Sequence, residues 1–299
     1  MEKGMFYNYH PLVTVIYIGF ALVMTMATLN PLPVIISFVC AYSYVSFLYD
    51  RSIHKKIWFM AIPIIIFATI IIPLFSHNGR TPIFYINDMA VTVETIVFGL
   101  VTGGMLIAVI LWFYVGHVLI DTEKLLYLVG RIFPTIALLL SISLRMIPLF
   151  IRRYKEISEC QTGLNRNVKN MGLFSRISFT MKKISILISW SLENSINTTT
   201  SMESRGYGKG KRTSFHLFKF RKRDFIAGAI FLGLGITIIL AEIKGVYRYN
   251  FFPFIDFYGL SLGKIIISAL MIIYLIIPLI LDVYEEYKDV RKKRSTNTI

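Results

Sequence analysis

The run from Ser201 to Thr213, Ser-Met-Glu-Ser-Arg-Gly-Tyr-Gly-Lys-Gly-Lys-Arg-Thr, sets charged side chains among three glycines. Phosphate binding is the first chemistry to test. Gly210-Lys211-Arg212-Thr213 has the look of a phosphate loop, whose backbone amides and lysine cradle a nucleotide. That motif needs Ser or Thr directly after the lysine and a glycine five residues before the second glycine. Those positions hold Arg212 and Arg205, and the run follows a helical pattern instead of a strand. Nucleotide binding by this chain is therefore rejected. Docking is the second chemistry. Gly206 can end a helix with a positive φ, leaving Arg205 in the final turn, where the helix dipole favours a cation. The planar guanidinium can then bond a carboxylate or backbone carbonyls in a partner's groove. From spacing alone the run reads either as such a docking tip or as an ordinary exposed helix end.

No catalytic constellation accompanies it. The five histidines, His10, His54, His77, His117 and His216, are dispersed, and Cys40 and Cys160 fit neither a disulfide nor a zinc pattern. No catalytic residue, cofactor or metal site is expected. A membrane enzyme acting on lipid would need carboxylates or histidines clustered at one membrane face. Glu94, Asp121 and Glu123 are the nearest candidates, the first two placed where a carboxylate can reach water, and they form no recognised motif. A self-sufficient secondary carrier would show an internal repeat of spans, and none is visible. No ionisable residue is placed at mid-span, so no intramembrane ion path is marked.

The elements that carry the run are mostly apolar. The chain is 55% apolar and only 16% charged, yet its net charge is +15. Soluble domains hold about 25% charged residues. An oily, basic chain points to a polytopic membrane protein with its cations at the cytoplasmic leaflet. Nucleic-acid binding is set aside, because the basic residues alternate with long apolar stretches. A spanning helix needs about 20 mostly apolar residues. Residues 12–29, 32–49, 57–75, 94–119, 225–242 and 263–281 qualify, the first two joined by a tight turn at Asn30-Pro31-Leu32-Pro33.

Residues 124–149 are apolar enough for a seventh span, but charge parity opposes it. Arg51, Lys55 and Lys56 place the loop after the second span in the cytoplasm, and two further spans return the chain there near Asp121. A crossing at 124–149 would put residues 150–224, with 16 of the 32 Lys and Arg, outside. The segment instead reads as one helix at the membrane boundary, with Lys124, Arg131, Arg145 and Arg152 in a seven-residue stripe. Leu139, Ile142, Met146 and Leu149 line another face, and Pro134 and Pro148 interrupt it. A span with snorkelling arginines is the alternative. The loops at 76–93 and 243–262 are nearly neutral, as external loops should be. The tail Arg291-Lys292-Lys293-Arg294 places the C-terminus inside.

The expected fold is thus an all-α integral membrane protein of about six transmembrane helices plus two long amphipathic cytoplasmic helices. Residues 1–120 form an N-terminal membrane region of four spans and 121–224 a cytoplasmic region. Residues 225–299 add two spans with a basic tail. Both termini are cytoplasmic. The second amphipathic pattern runs over 176–203, with Ile177, Met181, Ile184, Ile188 and Leu192 as its apolar stripe. Each long helix ends in a polar, glycine-bearing tip, around Gln161–Arg166 and around Ser204–Gly208.

At these residues the chain resembles a known family. Leu192-Glu193-Asn194, the Ser201–Gly208 run and Gly210–Thr213 are similar to the transmembrane T component of energy-coupling-factor transporters, which are prokaryotic ABC-type importers of vitamins and metal ions. His10-Pro11, Asn30-Pro31 and Leu144-Arg145-Met146-Ile147-Pro148 extend the resemblance over most of the chain. The resemblance implies a non-enzymatic subunit in a prokaryotic cell membrane. It would link two cytoplasmic ABC ATPase subunits or domains to one membrane S component within the bilayer, with no role for nucleic acid. Two coupling helices would end in Ala-Arg-Gly-type motifs seated in grooves on the ATPases. Ser204, Arg205 and Gly206 match the second motif, with Ser in the Ala position. The first motif departs from the pattern: its positions hold Gly163, Leu164 and Asn165, and the nearest arginine is Arg166. Either Arg166 docks from a shifted register or this tip docks without a matching arginine. Two spans after the coupling region, where many members have one, resemble the branch with a single dedicated S component.

Overall fold

A computed structural model of the chain describes residues 5–27, 29–76, 79–86, 89–163, 172–210, 218–247, 249–252 and 261–296. These residues are overwhelmingly helical. A short 3-10 turn at Met5–Asn8 precedes α1 (Pro11–Ala27), α2 (Pro31–Leu48), α3 (Ser52–Phe75) and α4 (Val93–Leu119). Then come α5 (Thr122–Ile132), α6 (Pro134–Gly163), α7 (Leu173–Ser204), α8 (Lys222–Ile243) and α9 (Leu262–Thr296). The chain forms two compact units, Met1–Leu125 with Phe218–Ile299 and Leu126–Leu217.

Six of the described helices are long and apolar enough to cross a membrane: α2, α3, α4, α6, α8 and α9. The all-α membrane architecture is as expected, but the membership differs in two places. Helix α1 has 17 residues and falls just short. Helix α6 satisfies the length and apolarity that charge parity had argued it does not use. Asn30 lies in the tight turn expected between the first two apolar helices. It caps α2, its Oδ1 accepting the Leu32 N–H at 3.1 Å, with Pro31 in the first turn where no amide donor is needed. The loop at 76–93 contains an element that the charge pattern did not suggest. Pro82–Ile86 (β1) and Met89–Thr92 (β2) pair antiparallel, Phe84 opposite Val91 and Tyr85 opposite Ala90. Both runs are rich in residues that favour strands.

Helix α4 is central to the larger unit, packing against α1, α2 and α3. Gly99 and Gly103 lie one turn apart on its α3 side. A methyl group at Gly99 would sit 2.9 Å from the Ala68 carbonyl oxygen, and one at Gly103 would sit 3.1 Å from the Ile65 Cα. Only glycine lets the two backbones approach this closely, the small-residue device of apolar helix pairs. On the other side Trp112 is fully buried and donates its indole N–H to Ser37 Oγ at 2.9 Å. It meets Tyr17 edge-on, and Tyr17 stacks with Tyr274 and donates to the Leu275 carbonyl at 2.9 Å. Each aromatic thus buries its ring and satisfies its polar end.

Contacts in this unit also set helix directions. Val13 lies beside Gly228 and Phe20 beside Gly235, so α1 and α8 run parallel. The start of α1, the end of α4 and the start of α8 therefore meet at one end of the unit, joined by hydrogen bonds from Lys124 to Tyr7 and from Arg223 to Asn8.

Candidate functional site

Helix α7 is a 32-residue helix that ends at Ser204. Its termination is a Schellman motif. The Gly206 N–H donates to the Glu203 carbonyl at 2.9 Å and the Tyr207 N–H to the Met202 carbonyl at 3.0 Å. Gly206 adopts φ 82° and Gly208 φ 88°. A side chain at either would meet nothing within 4 Å, so backbone conformation, not space, requires glycine there. The Lys209 N–H then closes a further turn onto the Gly206 carbonyl at 3.1 Å. Arg205 is the cap residue, exposed, and without an ion-pair partner among the described residues. Ser204 is exposed too, its hydroxyl turned back onto the Ser201 carbonyl at 3.0 Å. A rigid turn therefore presents a cation at the negative pole of a long helix.

The other tip is only partly described. Helix α6 ends at Gly163, exposed and with open space around it. Leu164, Asn165 and Arg166 lie outside the described residues, as do Lys211, Arg212 and Thr213.

The helices pair antiparallel. The Asn194 amide reaches Met146 Sδ at 3.6 Å, and Phe150 meets Trp190 edge-on at 6.1 Å between centroids. Further along, Lys183 Nζ donates to Ser158 Oγ at 2.8 Å and lies 4.6 Å over the Phe179 ring. Arg153 covers Trp190 at 5.3 Å and pairs with Glu156 at 2.7 Å. This seam is aromatic and polar. The apolar stripe expected on α7 is present but faces away from it: Ile177, Met181, Ile184, Ile188 and Leu192 are all exposed. Helix α6 has no buried residue at all. The antiparallel pairing sends the two tips in opposite directions. At 1.5 Å per residue, Gly163 lies about 14 Å beyond Tyr154 and Ser204 about 30 Å beyond Lys183.

Three expectations need correction. The helix read over 124–149 is two helices, broken at Phe133 between α5 and α6. Proline is disfavoured inside a helix but accepted at its first position, and Pro134 starts α6 on that basis, whereas Pro148 sits within it. The seven-residue basic stripe breaks with it. Arg131, Arg145 and Arg152 are exposed, but Lys124 is 1% exposed. Its ammonium donates to the Leu119 carbonyl at 2.7 Å and the Tyr7 carbonyl at 2.6 Å, and it rests 4.0 Å over the Tyr7 ring. Burial of a lysine's stem and satisfaction of its head by carbonyls leave no trace in sequence spacing.

The carboxylates also move. Glu94 is buried, not at water, and accepts the Thr81 hydroxyl at 2.7 Å. It sits in the first turn of the 27-residue α4 while Asp121 follows the last, so the two are about 40 Å apart. They cannot form one catalytic cluster. Asp282, near the middle of α9, carried no sequence signal. It is 1% exposed and accepts the Phe6 N–H at 2.7 Å and the Tyr44 hydroxyl at 2.8 Å.

The family described as CbiQ, cobalt transport protein, matches this chain over residues 9–217, more than two thirds of its length. The chain is 34% identical over 106 residues to the energy-coupling factor transporter transmembrane protein EcfT of Lactobacillus helveticus, covering 35% of this chain and 38% of that one. It is 27% identical over 111 residues to the protein of the same name from Bacillus selenitireducens, covering 37% of this chain and 41% of that one. The chain thus spans about two fifths of the length of the curated relatives it matches.

Proposed function

We infer that this chain, a multi-pass membrane protein that belongs to the cobalt transport protein family, is a transmembrane component of the energy-coupling-factor type. On that premise we propose that it is the coupling subunit of an importer. It passes ATPase movement to a membrane S component that takes up a micronutrient, a vitamin or a metal ion. The observation that carries this reading is Arg205, held exposed on a Schellman-capped turn at the end of a 32-residue helix. One ATPase docks at Ser204, Arg205 and Gly206. A second docks at the opposite tip, through Gly163, Leu164, Asn165 and Arg166. A rigid antiparallel pair with tips pointing apart turns a change in ATPase spacing into torque.

The same reading puts residues 121–224 and both termini in the cytoplasm of a prokaryotic cell, at its cell membrane. One topological argument supports it. The end of α4 and the start of α8 lie at one end of the larger unit. An even number of crossings must then separate them. Helix α7 carries Arg176, Lys182, Lys183 and Glu193 and is not among the helices apolar enough to span. A lone crossing by α6 would leave α8 at the wrong face, which favours the reading of α6 as a helix that does not cross.

Arg205→Glu tests the function. A charge lost from a desolvated contact costs about 2–5 kcal/mol, roughly 30-fold or more in affinity. The variant is expected to remain in the membrane but lose its ATPases in co-purification. Undiminished capture would overturn the proposal.

A further inference from the structure

Residues 126–217 join the larger unit through two necks of the chain, Leu119–Leu125 coming in and Phe218–Asp224 going out. Both necks are gripped by the same few residues of the chain's start. At the incoming neck, Tyr7 donates its hydroxyl to the Asp121 carboxylate, and the Tyr7 carbonyl accepts the buried Lys124 ammonium. Lys124 also bonds the Leu119 carbonyl, an end carbonyl of α4 with no helical partner of its own. At the outgoing neck, the Asn8 carbonyl accepts from Arg223 Nη2 at 3.5 Å, the Arg223 guanidinium lies 4.5 Å over the Tyr9 ring, and His10 meets Phe220 edge-on at 4.9 Å.

This short segment is itself anchored. Phe6 is fully buried against Tyr17 and Phe231, and its N–H is held by Asp282 on α9. Consecutive residues therefore face different jobs: Phe6 enters the core, Tyr7 takes one neck, and Asn8, Tyr9 and His10 take the other.

We propose that residues 6–10 are a clasp that holds the two necks at a fixed spacing, with Tyr7, Lys124 and Arg223 as positioning residues for coupling. The inference rests on the importer reading for its functional half. Movement arriving along α6 and α7 can act on the spanning helices only if the necks do not yield first. Without the clasp, the same movement is absorbed where the necks leave the bundle.

The test has two arms. Spin labels at Glu123→Cys and Lys219→Cys, both exposed positions, report neck spacing in the purified chain. Exposed Cys160 is replaced by serine, and Cys40 is buried. Lys124→Met and Arg223→Met are each expected to broaden the distance distribution, and Tyr7→Phe, which removes only one hydroxyl, to broaden it less. In the reconstituted complex, substrate moved per ATP hydrolysed is expected to fall at least ~10-fold in Lys124→Met, because two carbonyls lose their cation. ATP hydrolysis per assembled complex is retained. An unchanged distance distribution in all three variants overturns the clasp, and so does a broadened one with an unchanged transport-to-hydrolysis ratio. If the unaltered chain captures no ATPase, the importer reading falls, while the distance arm still decides whether the clasp holds the necks.

Discussion

The two units of this chain solve the packing problem in opposite ways. The larger unit closes a core of Trp112, Tyr17, Tyr44 and Tyr274, with polar ends satisfied inside. In the helical unit α6 buries nothing, α7 buries only Phe179 and Lys183, and the helices meet through rings, cations and amides. Its apolar residues face outward. A helix pair that spends its polar groups on the seam and leaves its oily face free is built for completion by lipid or by other proteins. The larger unit closes its own core, and the helical unit leaves its apolar face open.

Substitutions sharpen this contrast. Trp112→Ala should have the largest effect on the isolated chain, about 3–5 kcal/mol of lost stability from the cavity and the lost hydrogen bond to Ser37. Thermal unfolding in detergent reads it as a clear fall in midpoint. Gly206→Ala comes next. Forcing a side chain into the left-handed region costs roughly 1–2 kcal/mol, but at a solvated turn. The chain should unfold as before, while ATPase capture weakens about 5-fold to 30-fold. A large fall in unfolding midpoint would mean that the helical unit is not the open scaffold described here. Ile188→Ser should be smallest. The residue is 55% exposed, so the isolated chain should change by less than about 0.5 kcal/mol. Retention of the membrane partner should nevertheless drop, and equal retention would leave the apolar stripe to lipid alone.

Much of the larger unit was legible in the sequence. Apolar runs of spanning length announce helices without knowledge of their neighbours, and Asn30-Pro31 marks a turn by its own chemistry. The β1–β2 pair left no mark in the loop's charge content, because strand pairing depends on its strand-favouring residues and not on charge. Gly206 was legible as a helix end, since the left-handed conformation is nearly reserved for glycine. Arg205 was legible as exposed next to it. Its role was not, because docking is a property of two surfaces.

Lys124 shows the limit most clearly. Its spacing from Arg131, Arg145 and Arg152 suggested one solvated stripe, yet the break at Phe133 and the pull of two carbonyls bury it. The α7 stripe shows it again. The periodicity of Ile177, Met181, Ile184, Ile188 and Leu192 identifies an apolar face but not which way that face turns.

By itself, then, the sequence determined what local chemistry determines: which segments are helical, which are oily enough for a membrane, and where proline and glycine end them. Only the tertiary structure decided which charges are buried, which face of α7 meets α6, and that residues 6–10 reach both necks. Those outcomes depend on groups far apart in the chain, and local spacing holds no record of which distant carbonyl or ring a side chain will meet.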